Sequence, residues 1–474
     1  MEDPRGYHLR SGSSASSMTA SKRFSVIRDP VHGDVYLTHE EIAVLDTREM
    51  QRLRGIKQLG TAYLVYPGAV HTRFDHSIGT LHMAAKLIEA VNRSFELDPK
   101  GCVGVSEEEA RVIRIAALVH DVTHVPFGHS IEDQDGILRR HDSPERFERM
   151  LGPGTALGKV LSRLHVASDV LNVLRGPDAG GSTIPPYWTQ LVSGTFSCDI
   201  LDYLARDAYF TGLKLAVDPR VTSYFKIDRA SGNLYIDLAK HELLREDILS
   251  EVVRMLEARY YFSERVYYHH AKVAAGALIA RAVGLALAAG AVTEEDLHEA
   301  TDESVLDLLE SSVAKKDKES REGVRSAVRR FRGRALPKRA CVFPRYENEA
   351  VQQALVERFF STGGSAARAE SEARISDLVR FATGRKVETI VYCPAQRMQL
   401  KEARMHVRWP GAGELKPLAS FAERVPRLAD LERSYRNLWK FYVFADTDDP
   451  ELLAKVREVA MTEFAQATNA YAKR

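Results

Sequence analysis

The stretch Leu118–Ser130, LVHDVTHVPFGHS, places four ionisable side chains close together at the end of an apolar run. These side chains are His120, Asp121, His124 and His129. The segment Glu107–His120 has helical spacing and becomes mostly apolar towards its end, so the cluster is expected in the core. Buried imidazoles and carboxylates cost free energy unless they have partners, and one divalent cation can satisfy several of them at once. The stretch therefore predicts a metal site at the centre of a helical domain.

Two residues elsewhere in the chain extend this cluster to a full ligand set. His76 opens a predicted helix directly after HTRFD, and Asp199 lies in a third helical segment, SCDILDYLARDAYF. With His120 and Asp121 they form the order H…HD…D. Two imidazoles with two carboxylates suit Mn²⁺, Fe²⁺, Zn²⁺ or Mg²⁺ and leave positions for water and phosphate oxygen. We expect one divalent metal in this site, and the ligand types leave its identity open.

The third helical segment carries further polar groups at a spacing of four residues. Asp199, Tyr203 and Asp207 share one face of the predicted helix. Asp202 and Arg206 fall on a neighbouring face, where the sequence predicts an ion pair worth roughly a few tenths of a kcal/mol and no catalytic role.

Composition limits the class of protein. The 474 residues contain 66 Lys and Arg against 65 Asp and Glu, a formal net charge of +1, so no global field attracts nucleic acid or an anionic membrane. The four cysteines show no CxxC spacing, which argues against disulfides or a structural zinc site. Apolar stretches such as Ala274–Ala289 are interrupted or too short to span a bilayer. We expect a soluble, cytoplasmic protein without a membrane segment.

The apolar patterns predict a mainly α protein with a helical core, a small hairpin and a smaller α+β C-terminal lobe. The hairpin is expected within Tyr224–Leu238, and strand-like runs occur at Val387–Tyr392, Met405–Trp409 and Trp439–Phe444. Ser311–Ala340 holds eleven Lys or Arg against three acids. The predicted divisions are a flexible tail at 1–22, the core at 23–310, a basic segment at 311–340 and the lobe at 341–474.

Three separated runs carry a resemblance to a known family. They are DPVHGDVYLTHEE through LVHDVTHVPFGHS, then SCDILDYLARDAYFTG, then ERVYYHHAKV. Over about residues 24–289 the chain resembles the HD-domain deoxynucleotide triphosphohydrolases, and we expect no SAM domain in it. The resemblance implies an HD-domain fold, metal ligands at His76, His120, Asp121 and Asp199, and removal of the whole triphosphate from a deoxynucleoside triphosphate (dNTP).

The resemblance also implies roles at the triphosphate. Water attacks the α-phosphorus, Arg73 and the metal neutralise the developing charge, and His141 as general acid assists the departing 5′ oxygen. Asp142 is the expected carboxylate partner of His141, and Glu132 stands where the family commonly has an aspartate. The residues implied at the triphosphate are His124, His129, His141, Arg73, Asp142 and Glu132.

Sugar selection follows from a further set of residues that the resemblance implies. An amide and a carboxylate at the 3′-hydroxyl, with an aromatic ring against C2′, leave little room for a 2′-hydroxyl. The implied sugar contacts are Gln58, Leu59, Tyr203 and Asp207. A substrate-site tyrosine of the family falls at His269 or at the adjacent Tyr268.

Family members are often oligomers activated by a second nucleotide. The resemblance therefore implies a dimer, tetramer or larger assembly, a guanine-nucleotide or dNTP activator at Asp46, Gln51 and Arg54, and additional Mg²⁺ carried with the nucleotide. Two positions depart from the family pattern, because an activator-site asparagine is Arg28 and a lysine beside the fourth metal ligand is Ile200.

Two alternatives follow from these departures and from the basic segment. Ile200 and His269 change the pocket, so the enzyme could hydrolyse another nucleotide or phosphoester. Alternatively, Ser311–Ala340 could make the chain a nucleic-acid-binding protein or a nuclease. The simplest interpretation of that segment is a solvated helix face, and a third role for it is to bind the phosphates of an activator.

Overall fold

The computed structural model describes residues 24–133, 137–176, 184–215, 218–361, 363–396 and 398–471. The predicted tail at 1–22 lies outside the described residues.

Helices dominate the first half of the described chain, and they pack around α3 and α4. Capping boxes at Thr72 and Ser106 begin these two helices and satisfy backbone N–H groups that have no partner within the helix. The helices are α1 (His39–Leu45), α2 (Arg48–Arg52), α3 (Arg73–Leu97), α4 (Glu107–Val119), α5 (His129–Glu132), α6 (Pro144–Leu151), α7 (Ala156–Arg163), α8 (Ala167–Arg175), α9 (Pro186–Ser193) and α10 (Cys198–Thr211).

The second half continues with helices that surround the apolar α12. They are α11 (Glu246–Phe262), α12 (His270–Ala288), α13 (Glu294–Glu299), α14 (Asp302–Ser312), α15 (Lys318–Arg332), α16 (Arg345–Asn348), α17 (Gln352–Phe359), α18 (Gly364–Thr383), α19 (Pro426–Arg436) and α20 (Pro450–Glu463). By length and composition alone α12 could cross a membrane, but 61% of its apolar window is buried inside the protein. We therefore treat it as a core helix.

The strands form small sheets, and most lie in the second half. They are β1 (Ser25–Asp29), β2 (Gly33–Leu37), β3 (Phe225–Ile227), β4 (Leu234–Asp237), β5 (Ala239–Lys240), β6 (Leu243–Leu244), β7 (Lys338–Pro344), β8 (Thr389–Tyr392), β9 (His406–Arg408), β10 (Lys416–Pro417) and β11 (Lys440–Ala445). The predicted hairpin is present as the antiparallel pair β3–β4, and the three strand-like runs coincide with β8, β9 and all but the last residue of β11. The mainly α fold with a smaller α+β part is confirmed.

The C-terminal part is joined to the helical core rather than set apart from it. Strand β9 pairs in parallel with β4, so one sheet contains strands from both parts. The antiparallel sheet β7–β11–β8 lies beside α12, and the hydroxyl of Tyr392 in β8 donates to the carbonyl of Ser130 in α5 at 3.0 Å. The C-terminal part therefore touches the helix that follows the HD dipeptide.

The middle of the basic segment forms α15, whose apolar face is buried. Val324, Val328 and Phe331 pack in one cluster with residues of α12. Arg332 pairs with Asp307 and Glu310, and Arg330 pairs with Asp446. The helix is thus amphipathic, and acidic neighbours partly neutralise it, as a solvated helix face requires.

Candidate metal centre and nucleotide pocket

The four predicted metal ligands converge where α3, α4 and α10 meet. Nε2 of His76 lies 3.0 Å from Oδ1 of Asp199, and Nε2 of His120 lies 3.7 Å from the same oxygen. Asp121 Oδ1 lies 3.6 Å from His120 Nε2. The buried Nε2 of His120 has no hydrogen-bond partner among the described residues. The ligand atoms of His76, His120 and Asp199 lie within 4.8 Å of one another, with the Asp121 carboxylate beside them, and this set fits a divalent cation.

Backbone and side-chain acceptors orient both imidazoles. Nδ1 of His120 lies 2.8 Å from the carbonyl oxygen of Ala117, and Nδ1 of His76 lies 2.7 Å from Oδ2 of Asp202. Because these acceptors carry no proton, each Nδ1 donates, and Nε2 is the nitrogen that each ring turns towards the centre.

The centre is strongly anionic and favours positive charge. Burial alone would lower the pKa of His76, but its hydrogen bonds to Asp199 and Asp202 outweigh burial and raise the pKa to about 10. Burial would raise the pKa of Asp121, but Arg73, whose Nη1 lies 2.5 Å from its Oδ2, and the neighbouring histidines hold that pKa well below its ordinary value. Hydrogen bonds to His120 and His76 likewise outweigh burial and lower the pKa of Asp199. Both carboxylates are thus kept ionised, as metal ligands require.

Three more histidines form a second cluster beside the centre. The rings of His124 and His141 stack with centroids 3.8 Å apart, and His129 meets both edge-on. His124 is buried, His141 is partly exposed, and half of the His129 side chain is exposed. Nε2 of His124 lies 3.2 Å from Oδ1 of Asp121, so the two clusters touch.

The carboxylate partner of His141 differs from the expected one. Nδ1 of His141 lies 3.0 Å from Oε2 of the fully buried Glu132. Asp142 instead pairs with Arg140 at 3.1 Å and faces solvent. Adjacent residues point their side chains in different directions, so the nearest carboxylate in sequence is not the nearest in space.

A cavity of about 770 Å³ joins both clusters to the predicted sugar residues. Gln58, Leu59, Tyr203 and Asp207 all line it. The buried Oε1 of Gln58 has no hydrogen-bond partner among the described residues, so an acceptor is available there. His71 Nε2 lies 2.9 Å from one oxygen of Asp207, and the hydroxyl of Tyr267 donates to the other at 2.6 Å.

Comparison with protein families identifies the part of the chain that holds the metal centre. Residues 73–176 match the HD domain, and residues 239–469 match the HD associated region. The chain contains an HD domain followed by an HD-associated region. Three of the four candidate ligands lie in the HD domain, whereas Asp199 lies between the two matched regions.

Curated relatives support this assignment over about half of the chain. An uncharacterized protein of Methanocaldococcus jannaschii is 32% identical over 264 residues, which is 54% of this chain and 49% of that protein. The deoxynucleoside triphosphate triphosphohydrolase SAMHD1 of Danio rerio is 28% identical over 281 residues, 53% of this chain and 43% of that protein. The chain thus matches about half the length of these relatives. Together with the HD domain, they support a metal-dependent phosphohydrolase.

A solved structure supports the fold over nearly the whole chain. A hypothetical protein from Aquifex aeolicus has a TM-score of 0.63 and 22% sequence identity, and the match covers 92% of this chain and 100% of that one. At this identity the likeness concerns the fold alone.

The HD-associated region contributes to the pocket in a way that the sequence did not predict. Tyr392, Pro394, Gln396 and Met398 line the cavity together with residues of the HD domain. Tyr435 of α19 also lines it. Strand-like patterning indicated β8 but carried no signal that Tyr392 and the residues after it line a site formed by a much earlier part of the chain.

A π-helical turn at Ser263–Tyr267 sets the tyrosines near the sugar residues. Tyr267 and Tyr268 both line the cavity, together with Arg259 and Lys272. His269 lies outside the cavity lining, where its ring stacks on His270 and its Nδ1 accepts from the backbone of Ala271. Of the two predicted positions, Tyr268 is therefore the one at the pocket.

Asp202 and Arg206 are not a surface ion pair. Both are fully buried, and each oxygen of Asp202 accepts from Arg206 at 2.9 Å. Asp202 also contacts Nε2 of His32 at 2.6 Å, and Arg206 reaches Asp29 at 2.9 Å. Asp29 and His32 lie in DPVHGD, a stretch that carries the family resemblance, and this is the sequence feature that could have indicated the network.

The predicted activator residues lie away from the cavity. Asp46 and Arg54 are exposed, Gln51 accepts from Arg54 Nε at 2.8 Å, and the guanidinium of Arg54 covers the ring of Phe74. Arg28 is exposed and pairs with Asp34. Ile200 is buried.

Proposed function

We propose that the protein hydrolyses deoxynucleoside triphosphates to deoxynucleoside and triphosphate in a metal-dependent reaction. The observation that carries this proposal is the single cavity that connects the candidate metal centre, the histidine cluster and the sugar residues. One end offers cationic and imidazole groups to a phosphate chain, and the other offers hydrogen-bonding and aromatic groups to a sugar.

His76, His120, Asp121 and Asp199 would hold the divalent ion. When bound, such an ion supplies positive charge that stabilises phosphate oxygens as negative charge develops on them. Arg73 adds a fixed guanidinium beside Asp121, at the border of the centre and the cavity. Its five donors suit phosphate oxygens, and its burial between Asp121 and the cavity keeps it in place.

His141 is the proposed general acid. Glu132 accepts from Nδ1 of His141, so Nε2 is the nitrogen left to hold and deliver a proton to the departing 5′ oxygen. His124 stacks against the same ring, and His129 stands at the exposed edge of the cluster. This arrangement assigns orientation to His124 and Glu132, and phosphate contact to the more exposed His129.

Asp207 and Gln58 are proposed to close on the 3′-hydroxyl, with Tyr203 and Tyr267 packed beside the sugar edge. Asp207 is held by His71 and Tyr267 through both of its oxygens, so its position is fixed before substrate binds. A wall fixed in this way discriminates against an added 2′-hydroxyl, because a rigid site cannot make room for it without losing hydrogen bonds.

Three further features remain proposals that the resemblance supports. They are a guanine-nucleotide or dNTP activator at Asp46, Gln51 and Arg54, a homo-oligomer, and a cytoplasmic location. The activator residues are exposed or half-buried, so a nucleotide could reach them from solvent. The four cysteines are free, as a reducing compartment would keep them.

Product chromatography tests the proposal. Purified protein with Mn²⁺ or Mg²⁺ is incubated with each dNTP alone and with all four together. We expect deoxynucleoside and intact triphosphate in equal amounts, and activity confined to the mixture would indicate an activator. Release of pyrophosphate or single phosphate from a dNTP would contradict removal of the whole triphosphate, and turnover of a cyclic or modified nucleotide only would replace dNTPs by another phosphoester as substrate.

A further inference from the structure

A line of alternating charges leads from the protein surface to His141. Oε2 of Glu132 lies 3.0 Å from Nδ1 of His141, and Oε1 of Glu132 lies 2.6 Å from Nη1 of Arg146. Nε of Arg146 in turn lies 2.9 Å from Oε1 of Glu294. Glu132 and Arg146 are buried, and Glu294, in the first turn of α13, is 28% exposed.

The line joins three separate elements of the fold. Glu132 ends α5, Arg146 belongs to α6, and Glu294 belongs to α13. The hydroxyl of Thr123 also donates to the carbonyl of His141 at 2.8 Å and holds its backbone. Glu132 and Glu294 are therefore held by different helices, and Arg146 contacts both carboxylates.

We propose that Arg146 and Glu294 are positioning residues for His141, and that together they set the charge that Glu132 presents to its imidazole. A carboxylate with two neighbours on opposite oxygens cannot turn away from either one. Arg146 thus fixes the direction of the Glu132 acceptor, and Glu132 fixes which nitrogen of His141 faces the pocket. Glu294 shares the charge of Arg146 and so regulates how much of it reaches Glu132.

The proposal predicts opposite effects at the two ends. Without the guanidinium, the full negative charge of Glu132 acts on His141 and holds its proton more tightly. Without the carboxylate of Glu294, the full positive charge of Arg146 acts on Glu132, and the proton on His141 is held less tightly.

The low pKa of Glu132 supports this electrostatic coupling. Burial would raise it, but the hydrogen bond to His141 and the charges of His124, His141 and Arg146 hold it well below the ordinary value. The other charged or titratable groups around His141 belong to different elements and stay unchanged in both variants. They are His124, His129, Asp133, Arg140 and Asp142. At the other end of the line, Nε2 of the buried His298 lies 3.7 Å from Oε1 of Glu294.

The test measures the proton of His141 directly, so it does not depend on the substrate. Ring-labelled histidine is introduced into the full chain, the His141 resonance is assigned from its loss in His141→Gln, and its titration midpoint is followed by NMR. We expect Arg146→Met to raise the midpoint by about one pH unit and Glu294→Gln to lower it by about half a unit. Arg146→Lys, which keeps the charge, should return the midpoint towards that of the unchanged protein.

A neighbouring ion pair supplies the matched control. Arg149 lies one turn after Arg146 in α6 and pairs with Glu295, the residue next to Glu294 in α13, and among the described contacts neither of them touches Glu132. Arg149→Met and Glu295→Gln should leave the midpoint unchanged. Shifts of the same sign for Arg146→Met and Glu294→Gln, or no shift for Glu294→Gln, would overturn the proposal. Because Glu294 is partly exposed, Glu294→Gln should fold even if Arg146→Met does not, and its midpoint alone then decides the test.

Turnover gives a second readout that rests on the proposed function. Because a general acid must be protonated, kcat should fall at high pH, and the pH of this fall should shift in the same direction as the NMR midpoint in each variant. If the unchanged protein hydrolyses no dNTP, the proposed function fails while the NMR titration still decides the role of Arg146 and Glu294.

Discussion

Oδ2 of Asp202 lies 2.7 Å from Nδ1 of His76, although 126 residues separate them in the chain. The same carboxylate accepts from Arg206 and contacts His32. One buried aspartate therefore orients a candidate metal ligand and connects it to the N-terminal hairpin.

Asp202→Asn should weaken metal binding without removing any proposed ligand. An amide is a weaker acceptor than a carboxylate, so the His76 ring is less firmly held and less basic; we expect metal affinity to fall about 10- to 100-fold. Metal titration of the metal-free protein measures this. Asp377, an exposed helical aspartate paired with Arg380, gives the control Asp377→Asn. Unchanged affinity in Asp202→Asn would show that Asp202 does not support the centre.

His120→Ala and Asp199→Ala should each abolish metal binding. Each removes one of four converging donors, and the metal content of the purified protein should fall from about one ion per chain to less than about a tenth of that, with turnover lost. Elemental analysis and circular dichroism are measured together, because a helical spectrum must persist. The exposed His39 provides the control His39→Ala. Full metal content in either variant would contradict the ligand assignment.

Asp207→Ala should damage sugar recognition and leave the metal in place. The substitution removes the carboxylate that His71 and Tyr267 hold at the cavity wall. We expect kcat/KM for dNTPs to fall about 100-fold and the preference for deoxyribose to weaken. Competition between deoxy- and ribonucleotides measures the preference, and Asp430→Ala on the exposed face of α19 is the control. Retained sugar preference would exclude Asp207 from that role.

His298 should make stability depend on pH. Burial, followed by the charges of Arg146, Arg149 and Arg52, lowers the pKa of His298 to about 3, against about 6.5 in an unfolded chain. Below pH 6.5 the unfolded chain binds a proton that the folded protein rejects. The free energy of unfolding is therefore highest above pH 6.5 and should fall by on the order of 1 kcal/mol per pH unit between pH 6 and 5.

Urea unfolding at several pH values measures this slope. His298→Gln should make it shallower, whereas His39→Gln should not change it. An equal slope in the His298 variant and the unchanged protein would mean that other groups account for the pH dependence.

The sequence predicted those parts of the site that local patterns encode. His120 and Asp121 stand together after an apolar run, and His76 and Asp199 open helices, so all four could be chosen from the residues themselves. The partners of these residues could not be chosen in that way. Helical spacing pairs Asp202 with Arg206 correctly but cannot show that both are buried, because burial depends on His32 and Asp29 from a distant hairpin.

Two other differences have the same origin. Glu132 rather than Asp142 contacts His141, and Tyr268 rather than His269 lines the cavity. The first depends on how α5 packs against the loop before α6, and the second on the extra residue in the π-helical turn before α12. Neither the packing nor the turn has a sequence signature of its own.

The parallel pairing of β9 with β4 bears on how the protein can be divided. A fragment that stops before the HD-associated region would leave the hydrogen-bonding edge of β4 open to solvent, and an open edge strand recruits other chains. It would also lose the cavity wall after β8. The HD domain and the HD-associated region thus share one cavity, and we expect the HD domain alone not to keep that cavity intact.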